Sequence, residues 1–407
     1  MAVITFYYDV VCPYAYLGST RARALAERTG AQLVYRPILL GGVFKALDAP
    51  QEPARQMAPQ KARLNTLDLL RQGDLMGQPV SWHPRHPVRS VSAMRLLVGC
   101  DDAVRPDLTA ALYKAYWVDH EDISDRATLS RIAGEHGVDI AIIDDPAVKQ
   151  ALFDTTAEAV ALGGFGVPIW KVRFDDGRER FWWGADRIHL VAEALGADWP
   201  APGTAERTDD PLPITFFHDV SSPFSYLGST QIARLAEEEG TTVAWVPILL
   251  GALFKEIGTP IVPLAAMNAA KARYYAQDMR DWSAHWGVPF RMPSAFPLRT
   301  VAPLRVMLQD PATTPHLYRA AWAEDRDIGQ PEVLTAVLDE AGFDGAALLA
   351  GTQDPAVKAQ LVANTARAVQ TGVCGVPTFQ VGDAIFWGQD RLEHVRQAVR
   401  GWRLPQG

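Results

Sequence analysis

The chain has 407 residues, 48% of them hydrophobic and 21% charged, which suits two to four folded domains and excludes global disorder. A net charge of −8 excludes the basic footprint of a nucleic-acid or anionic-membrane binder. No apolar run is long enough to span a bilayer, and Met1 to Phe6 enter a strand-like segment with no basic stretch or long apolar core, so no membrane span and no signal peptide are expected.

The chain opens with an apolar and aromatic run, Val3 to Tyr8, which predicts a buried strand. A short turn leads to Pro13, whose fixed φ and missing N–H suit the first position of a helix. That helix should run to Gly30, a natural stop signal. A second strand is expected over Gln32 to Leu40. A mainly helical stretch follows, with apolar residues at three and four spacing in Leu108 to Trp117, Thr128 to His136 and Val148 to Leu162. Within it, Val91 to Cys100 is an apolar helical segment. His83 and His86 stand in a Pro-rich loop and are expected at the surface. After Gly166-Val167-Pro168 come two short strands, Ile169 to Phe174 and Glu179 to Trp183, joined by Asp175-Asp176-Gly177 as a hairpin turn. A helix over Ile188 to Leu195 closes this part. Residues 199–212 are rich in Pro, Asp and small residues and read as an extended linker.

The pattern then starts again. Ile4-Thr5-Phe6 through Pro13, Leu17-Gly18-Ser19-Thr20 returns as Ile214-Thr215-Phe216 through Pro223, Leu227-Gly228-Ser229-Thr230. Pro37 to Gly41 matches Pro247 to Gly251, and Lys61-Ala62-Arg63 matches Lys271-Ala272-Arg273 at the same offset. With a small drift, Asp145-Pro146-Ala147 matches Asp354-Pro355-Ala356, and Trp183-Gly184-Ala185-Asp186-Arg187 matches Trp387-Gly388-Gln389-Asp390-Arg391. This is a duplication. Its expected parts are residues 1–198, a linker over 199–212, and residues 213–407. The second copy repeats the elements: a strand from Ile214, a helix to Gly240, a strand over Thr242 to Leu250, a turn at Gly382-Asp383, and a last helix over Leu392 to Val399.

Three features recur in register. The first is the residue just before the first helix, Cys12 in one copy and Ser222 in the other. Unpaired N–H groups and the positive end of the helix dipole favour an anion there. A cysteine at that place is expected to have a lowered pKa and to be a good nucleophile. A serine would instead donate a hydrogen bond to another molecule's thiolate, or simply cap the helix. The second feature is Val167-Pro168 and Val376-Pro377, each after a glycine and at a strand start. Either a cis bond exposing a backbone edge or a plain loop proline would suit it. The third is the Asp186 and Asp390 turn, where a carboxylate can cap the last helix or meet an ammonium group. Three cysteines, Cys12, Cys100 and Cys374, cannot all pair within one chain and lie in neither C-x-x-C nor zinc spacing, which fits a reducing cytoplasm. Cys100 reads as a small hydrophobe. No metal-ligand cluster is expected.

With Ser222-Pro223-Phe224-Ser225-Tyr226-Leu227-Gly228, Gly375-Val376-Pro377-Thr378 and Trp387-Gly388-Gln389-Asp390-Arg391, the chain resembles the 2-hydroxychromene-2-carboxylate isomerase and kappa-class glutathione transferase family, within the wider DsbA-like thioredoxin group. The resemblance covers nearly all of both copies. The strand and helix order agrees with it, and predicts an α/β fold of two tandem thioredoxin-like domains, each with a large helical insertion. It implies a glutathione site, or one for another small thiol, and a small aromatic or otherwise electrophilic substrate. Ser222 would hydrogen-bond the thiol sulfur, with Pro223 and Phe224 beside it. Val376, before Pro377, would pair with the peptide backbone, and Gln389 and Asp390 would hold the γ-glutamyl end. The first copy offers Cys12, Pro13, Tyr14, Val167, Pro168, Ala185 and Asp186 at the matching places. Phe224, Tyr226 and Trp387 line an apolar pocket or belong to the core. The two copies would form an internal pseudo-dimer. Cys12 in place of the family's serine, Ala185 and Gln389, and residues near Ala49 and Thr259 where the family has an asparagine, depart from the pattern. The leading expectation is therefore a thiol-dependent isomerase or transferase. The alternatives are a thiol-disulfide oxidoreductase with Cys12 as a monothiol nucleophile, and a non-catalytic thiol-binding protein.

Overall fold

A computed structural model describes residues 1–78, 80–203 and 205–405. Thr204 of the expected linker and the last two residues of the expected second domain lie outside the described residues. In chain order the elements are β1 (Val3–Tyr8), α1 (Pro13–Thr29), β2 (Gln32–Pro37), α2 (Leu40–Ala46), α3 (Pro59–Leu75), α4 (Val91–Gly99), α5 (Arg105–Trp117), α6 (Arg126–Glu135), α7 (Pro146–Ala161), β3 (Ile169–Arg173), β4 (Glu179–Trp183) and α8 (Ile188–Ala194). The second repeat follows as β5 (Ile214–His218), α9 (Pro223–Glu239), β6 (Val243–Pro247), α10 (Leu250–Glu256), α11 (Ala269–His285), α12 (Val301–Gln309), α13 (Thr314–Trp322), α14 (Pro331–Glu340), α15 (Gly345–Gly351), α16 (Pro355–Thr371), β7 (Thr378–Val381), β8 (Ala384–Trp387) and α17 (Leu392–Val399). Among the described residues no helix is long and apolar enough to cross a membrane.

The chain divides into two compact units. The first comprises Met1–Pro53, Leu69–Ala201 and Asn268–Tyr274; the second comprises Ala54–Asp68, Pro202–Met267 and Tyr275–Gly407. Each holds one four-stranded sheet, in the order β2-β1-β3-β4 or β6-β5-β7-β8. The first pair in each is parallel and the remaining pairs are antiparallel. This is the expected α/β arrangement with helices inserted between the second and third strands.

In the second unit the sheet has an apolar layer on each face. Phe216, Ile232, Leu235, Phe379 and Val395 form one cluster, while Phe217, Val246, Leu253, Val373 and Val376 form another. Leu64 is buried in that second cluster. Neighbouring strand residues point to opposite faces, so Phe216 and Phe217 divide between the two layers.

The helix α1 begins at Pro13 and stops at Gly30, which has φ 64°; α9 begins at Pro223 and stops at Gly240, φ 70°. A glycine caps such ends because it reaches the left-handed region without a Cβ clash. Gly228 has a different purpose. A Cβ there would stand 3.3 Å from the Phe379 ring and 3.4 Å from Pro377, so its absence lets α9 lie directly on Pro377.

Two expectations need correction. The second strands stop at Pro37 and Pro247, short of Leu40 and Leu250: Ile38 and Ile248 N–H still donate to the Tyr8 and His218 carbonyls, and the amides after them leave the ladder. Leu39 N–H donates to the Thr156 hydroxyl and Leu40 N–H to the Asp9 carboxylate, both within 3.0 Å, and the chain turns into α2. Linker residues are hydrogen-bonded. Within the second unit, Ala205 N–H donates to Gln397 at 2.9 Å, Arg400 donates to the Ala205 carbonyl at 3.0 Å, and Leu212 N–H reaches the Val399 carbonyl. His83 is buried rather than at the surface: its ring stacks on Tyr116 and accepts from Arg85 N–H at 3.1 Å. His86 is half-buried, with Nδ1 2.8 Å from the Tyr116 hydroxyl.

Candidate active site

The second unit builds its site at the end of β5. The Asp219 carboxylate is buried and accepts N–H bonds from Ser221 at 2.9 Å and Leu250 at 2.8 Å, which fixes the turn. Burial pushes its pKa up despite those bonds. The turn delivers Ser222 in an extended conformation to the N-cap of α9. The Ser222 oxygen accepts the Ser225 N–H at 3.2 Å, and its hydroxyl donates to the Val376 carbonyl at 3.1 Å. The capping role is therefore present, and the side chain also touches the Val-Pro segment 154 residues away. The Val376–Pro377 peptide bond is cis, as is Val167–Pro168 in the first unit. Two further X–Pro bonds, His86–Pro87 and Phe296–Pro297, are also cis.

Cys12 occupies the same place in the first unit and donates its thiol proton to the Val167 carbonyl at 3.2 Å. It makes no cap bond, and Ala15 stands where the other unit has Ser225. The expected lowering of its pKa does not occur. Burial pushes the thiol up to about 12, and the Ala15 and Tyr14 amides at the helix end pull down less than burial pushes. The helix dipole cannot offset complete removal from water. Asp9 behaves like Asp219: it accepts from Val11 N–H, Leu40 N–H and the Ser90 hydroxyl, yet burial raises it to about 6.

Tyr14, Pro13 and Phe224 are partly exposed at the helix starts, while Pro223 is buried. Phe224 packs edge-on against Tyr275 at 6.0 Å. Tyr226 belongs to the core: it is 4% exposed and its hydroxyl donates to the Pro289 carbonyl. Trp387 lies across Gly375, where a Cβ would stand 2.8 Å from the indole nitrogen. Behind the site the two units differ. Tyr8 bonds Thr109 at 2.6 Å in the first; its counterpart His218 faces the Tyr318 hydroxyl at 3.1 Å, and burial holds that imidazole neutral with a pKa near 3.

The Asp186 and Asp390 turns take a shape that capping did not anticipate. Each forms one short 3-10 turn, and the N-cap of the last helix is Arg187 or Arg391, without a side-chain cap bond. Asp186 pairs with Arg187 at 2.9 Å and Asp390 with Arg391 at 3.3 Å. Ala185 and Gln389, the first residues of these turns, are buried.

Sequence reasoning missed residues that the second unit takes from Ala54–Asp68. The Asp68 carboxylate accepts two bonds from the Arg391 guanidinium, at 2.5 and 2.9 Å. The Lys61 ammonium stands 5.3 Å over the Trp387 ring and exerts a lowering pull on the buried Cys374 thiol, which burial nonetheless raises to about 12. The first unit takes Lys271 and Tyr274: Lys271 stands over Phe165, and Tyr274 exchanges hydrogen bonds with the Trp183 backbone at 3.0 and 3.1 Å. The recurring Lys-Ala-Arg motif marked these segments as a repeat but carried no sign of where they pack.

The model of the DSBA-like thioredoxin domain matches residues 3–196 and again 213–400. The chain is 29% identical over 194 residues to a 2-hydroxychromene-2-carboxylate isomerase of Sphingobium xenophagum, covering 45% of this chain and 95% of that protein. It is 30% identical over 216 residues to glutathione S-transferase kappa 1 of Rattus norvegicus, covering 49% of this chain and 93% of that protein. A solved 2-hydroxychromene-2-carboxylate isomerase aligns with 46% of this chain and 94% of its own, at 25% identity and a TM-score of 0.43. The chain belongs to the DSBA-like thioredoxin domain family and carries that domain twice.

Proposed function

We propose that the chain is a glutathione-dependent isomerase or transferase, and that its second unit holds the thiol. The observation that carries this reading is the Ser222 hydroxyl, seated at the start of α9 and in contact with the Val376 carbonyl at 3.1 Å. The relatives named isomerase and glutathione transferase support it.

The residues present fit a small peptide thiol. Ser222 can donate to a sulfur, and the α9 N-terminus favours the thiolate over the thiol. The Val376 backbone would pair with the peptide, beside Pro223 and Phe224. Asp390 and Gln389 would hold the γ-glutamyl end, and the Lys61 ammonium near Trp387 suits a carboxylate. When bound, glutathione supplies a thiolate nucleophile for an electrophilic carbon. Ser222 holds that sulfur charged, and Phe224 and Trp387 present partly exposed aromatic faces to an apolar substrate.

The first unit has Cys12, Pro13, Tyr14, Val167, Pro168 and Asp186 in the same places. A thiol raised to about 12 is almost wholly protonated at neutral pH, which weighs against Cys12 as a redox nucleophile. Calorimetric titration with reduced glutathione tests the reading. Saturable binding is expected for the wild type and Cys12→Ala, weakened about tenfold or more in Ser222→Ala. Absence of binding to the wild type would overturn it.

A further inference from the structure

Behind the first helix the two repeats seat a ring at the same point of the sheet, and the rings differ in reach. Tyr8 ends β1 opposite Pro37, and His218 ends β5 opposite Pro247. Their surroundings match. Tyr8 stacks on Phe6 at 5.3 Å and 12°, and His218 stacks on Phe216 at 4.9 Å and 22°. Tyr8 meets Tyr35 edge-on at 5.9 Å, and His218 meets Trp245 edge-on at 5.5 Å. Tyr113 lies 6.1 Å from Tyr8 at 38°, and Tyr318 lies 5.9 Å from His218 at 41°. The imidazole therefore takes the place of the phenol ring but lacks its hydroxyl.

In the first unit that hydroxyl is bonded to Thr109 at 2.6 Å, with both residues buried. Thr314 is the counterpart of Thr109. The last residues of their helices, Trp117 and Trp322, donate to the Val10 and Val220 carbonyls, which are themselves equivalent. Thr314 is 2% exposed and His218 is fully buried. Among the described residues neither the Thr314 hydroxyl nor His218 Nε2 has a hydrogen-bond partner. Nδ1 of the same ring is engaged by the Tyr318 hydroxyl at 3.1 Å. Two buried polar atoms that the other repeat joins directly are unfavourable if nothing bridges them.

We infer that the second unit binds one buried water between His218 and Thr314, where the first unit has the Tyr8 hydroxyl. The inference does not depend on the thiol-site reading above. A phenol exceeds an imidazole by one ring atom and a hydroxyl, close to the roughly 30 Å³ that a water takes up in the liquid. Water both donates and accepts, so it serves Nε2 in either tautomer and the threonine hydroxyl as well. An apolar occupant would leave both atoms unpaired. The water joins Thr314 to a line of buried groups, His218, Tyr318 and Ser225, which ends at the N–H that caps Ser222. The first unit has no such line: Ala15 replaces Ser225, and Tyr113 donates to the Asp9 carbonyl at 3.3 Å.

Magnetic relaxation dispersion of the water oxygen counts waters held inside a protein for longer than it tumbles. At neutral pH, where burial keeps His218 uncharged, His218→Tyr is expected to hold one such water fewer than the wild type. Thr314→Val, which keeps the shape and removes the hydroxyl, should also hold one fewer. The reciprocal Tyr8→His should hold one more. A crystal structure of the wild type should show density within hydrogen-bond distance of both His218 Nε2 and the Thr314 hydroxyl. Circular dichroism checks that each variant folds; should His218→Tyr not fold, Thr314→Val and the wild-type density give the same decision. Equal counts in the wild type and the folded second-unit variants, or wild-type density without a water at that place, would overturn the inference.

Discussion

Ser222 and Cys12 hold equivalent positions and differ by oxygen for sulfur, yet their surroundings assign them different chemistry. Both point their proton at a backbone carbonyl, but only Ser222 caps its helix, accepting the Ser225 N–H at 3.2 Å. With its thiol raised to about 12, Cys12 should resist alkylation. Iodoacetamide labelling of the native protein at pH 8, located by mass spectrometry, should leave Cys12 far behind a free cysteine and label it fully only after denaturation. A second outcome at this level concerns Asp9. Its folded pKa of about 6 lies above the usual carboxylate value, so protonation favours the folded state. The contribution is complete below about pH 4 and is lost as pH rises to about 6, a swing of up to about 3 kcal/mol. Denaturant unfolding of wild type and Asp9→Asn from pH 4 to 7 should show the wild type losing ground to the variant over that range. A constant difference between the two would refute it.

Secondary elements matter here through where they stop and how closely they approach. Helix α9 reaches Pro377 because Gly228 has no Cβ. Gly228→Val should overpack this contact and lower stability by about 1–3 kcal/mol, with a larger loss of thiol affinity than a surface substitution causes, measured by chemical denaturation and titration. Helix starts and stops were readable because Pro13, Gly30, Pro223 and Gly240 act locally, through φ and the missing N–H. The strand ends at Pro37 and Pro247 were not, since the groups that draw off the following amides, Thr156 and Asp9 in one repeat and Thr365 and Asp219 in the other, are remote in sequence. The same applies to His83: a Pro-rich loop looks solvated until Tyr116 is brought beneath the imidazole.

At the level of the whole molecule, the duplication was legible because the motifs repeat in order, and the same repetition singled out Ser222 and Val376, which are in contact. What could not be read was the membership of Ala54–Asp68 in the second unit. Apolar and charged residues on α3 show an amphipathic helix but not its neighbour. The consequence is measurable. A fragment of residues 202–407 lacks Leu64 from a buried cluster and Asp68 from the Arg391 pair. It should unfold at a lower temperature than the same unit in the full chain, and a peptide of residues 54–68 should restore part of the loss, followed by circular dichroism. Asp68→Ala in the full chain should cost about 2 kcal/mol, since the Arg391 side chain is only 12% exposed and would lose two charge-assisted bonds while keeping its pair with Asp390.

The placement of Ala54–Asp68 also bears on how such a chain can diverge. After a gene doubles, its halves are ordinarily free to accumulate changes separately. Here the segment encoding Lys61, Leu64 and Asp68 lies in the first half, while the Trp387 ring, apolar cluster and Arg391 that it serves belong to the second. A change in the codon for Asp68 in the first repeat thus removes a partner of Arg391 in the second. Exchanging whole halves between related genes would separate these partners.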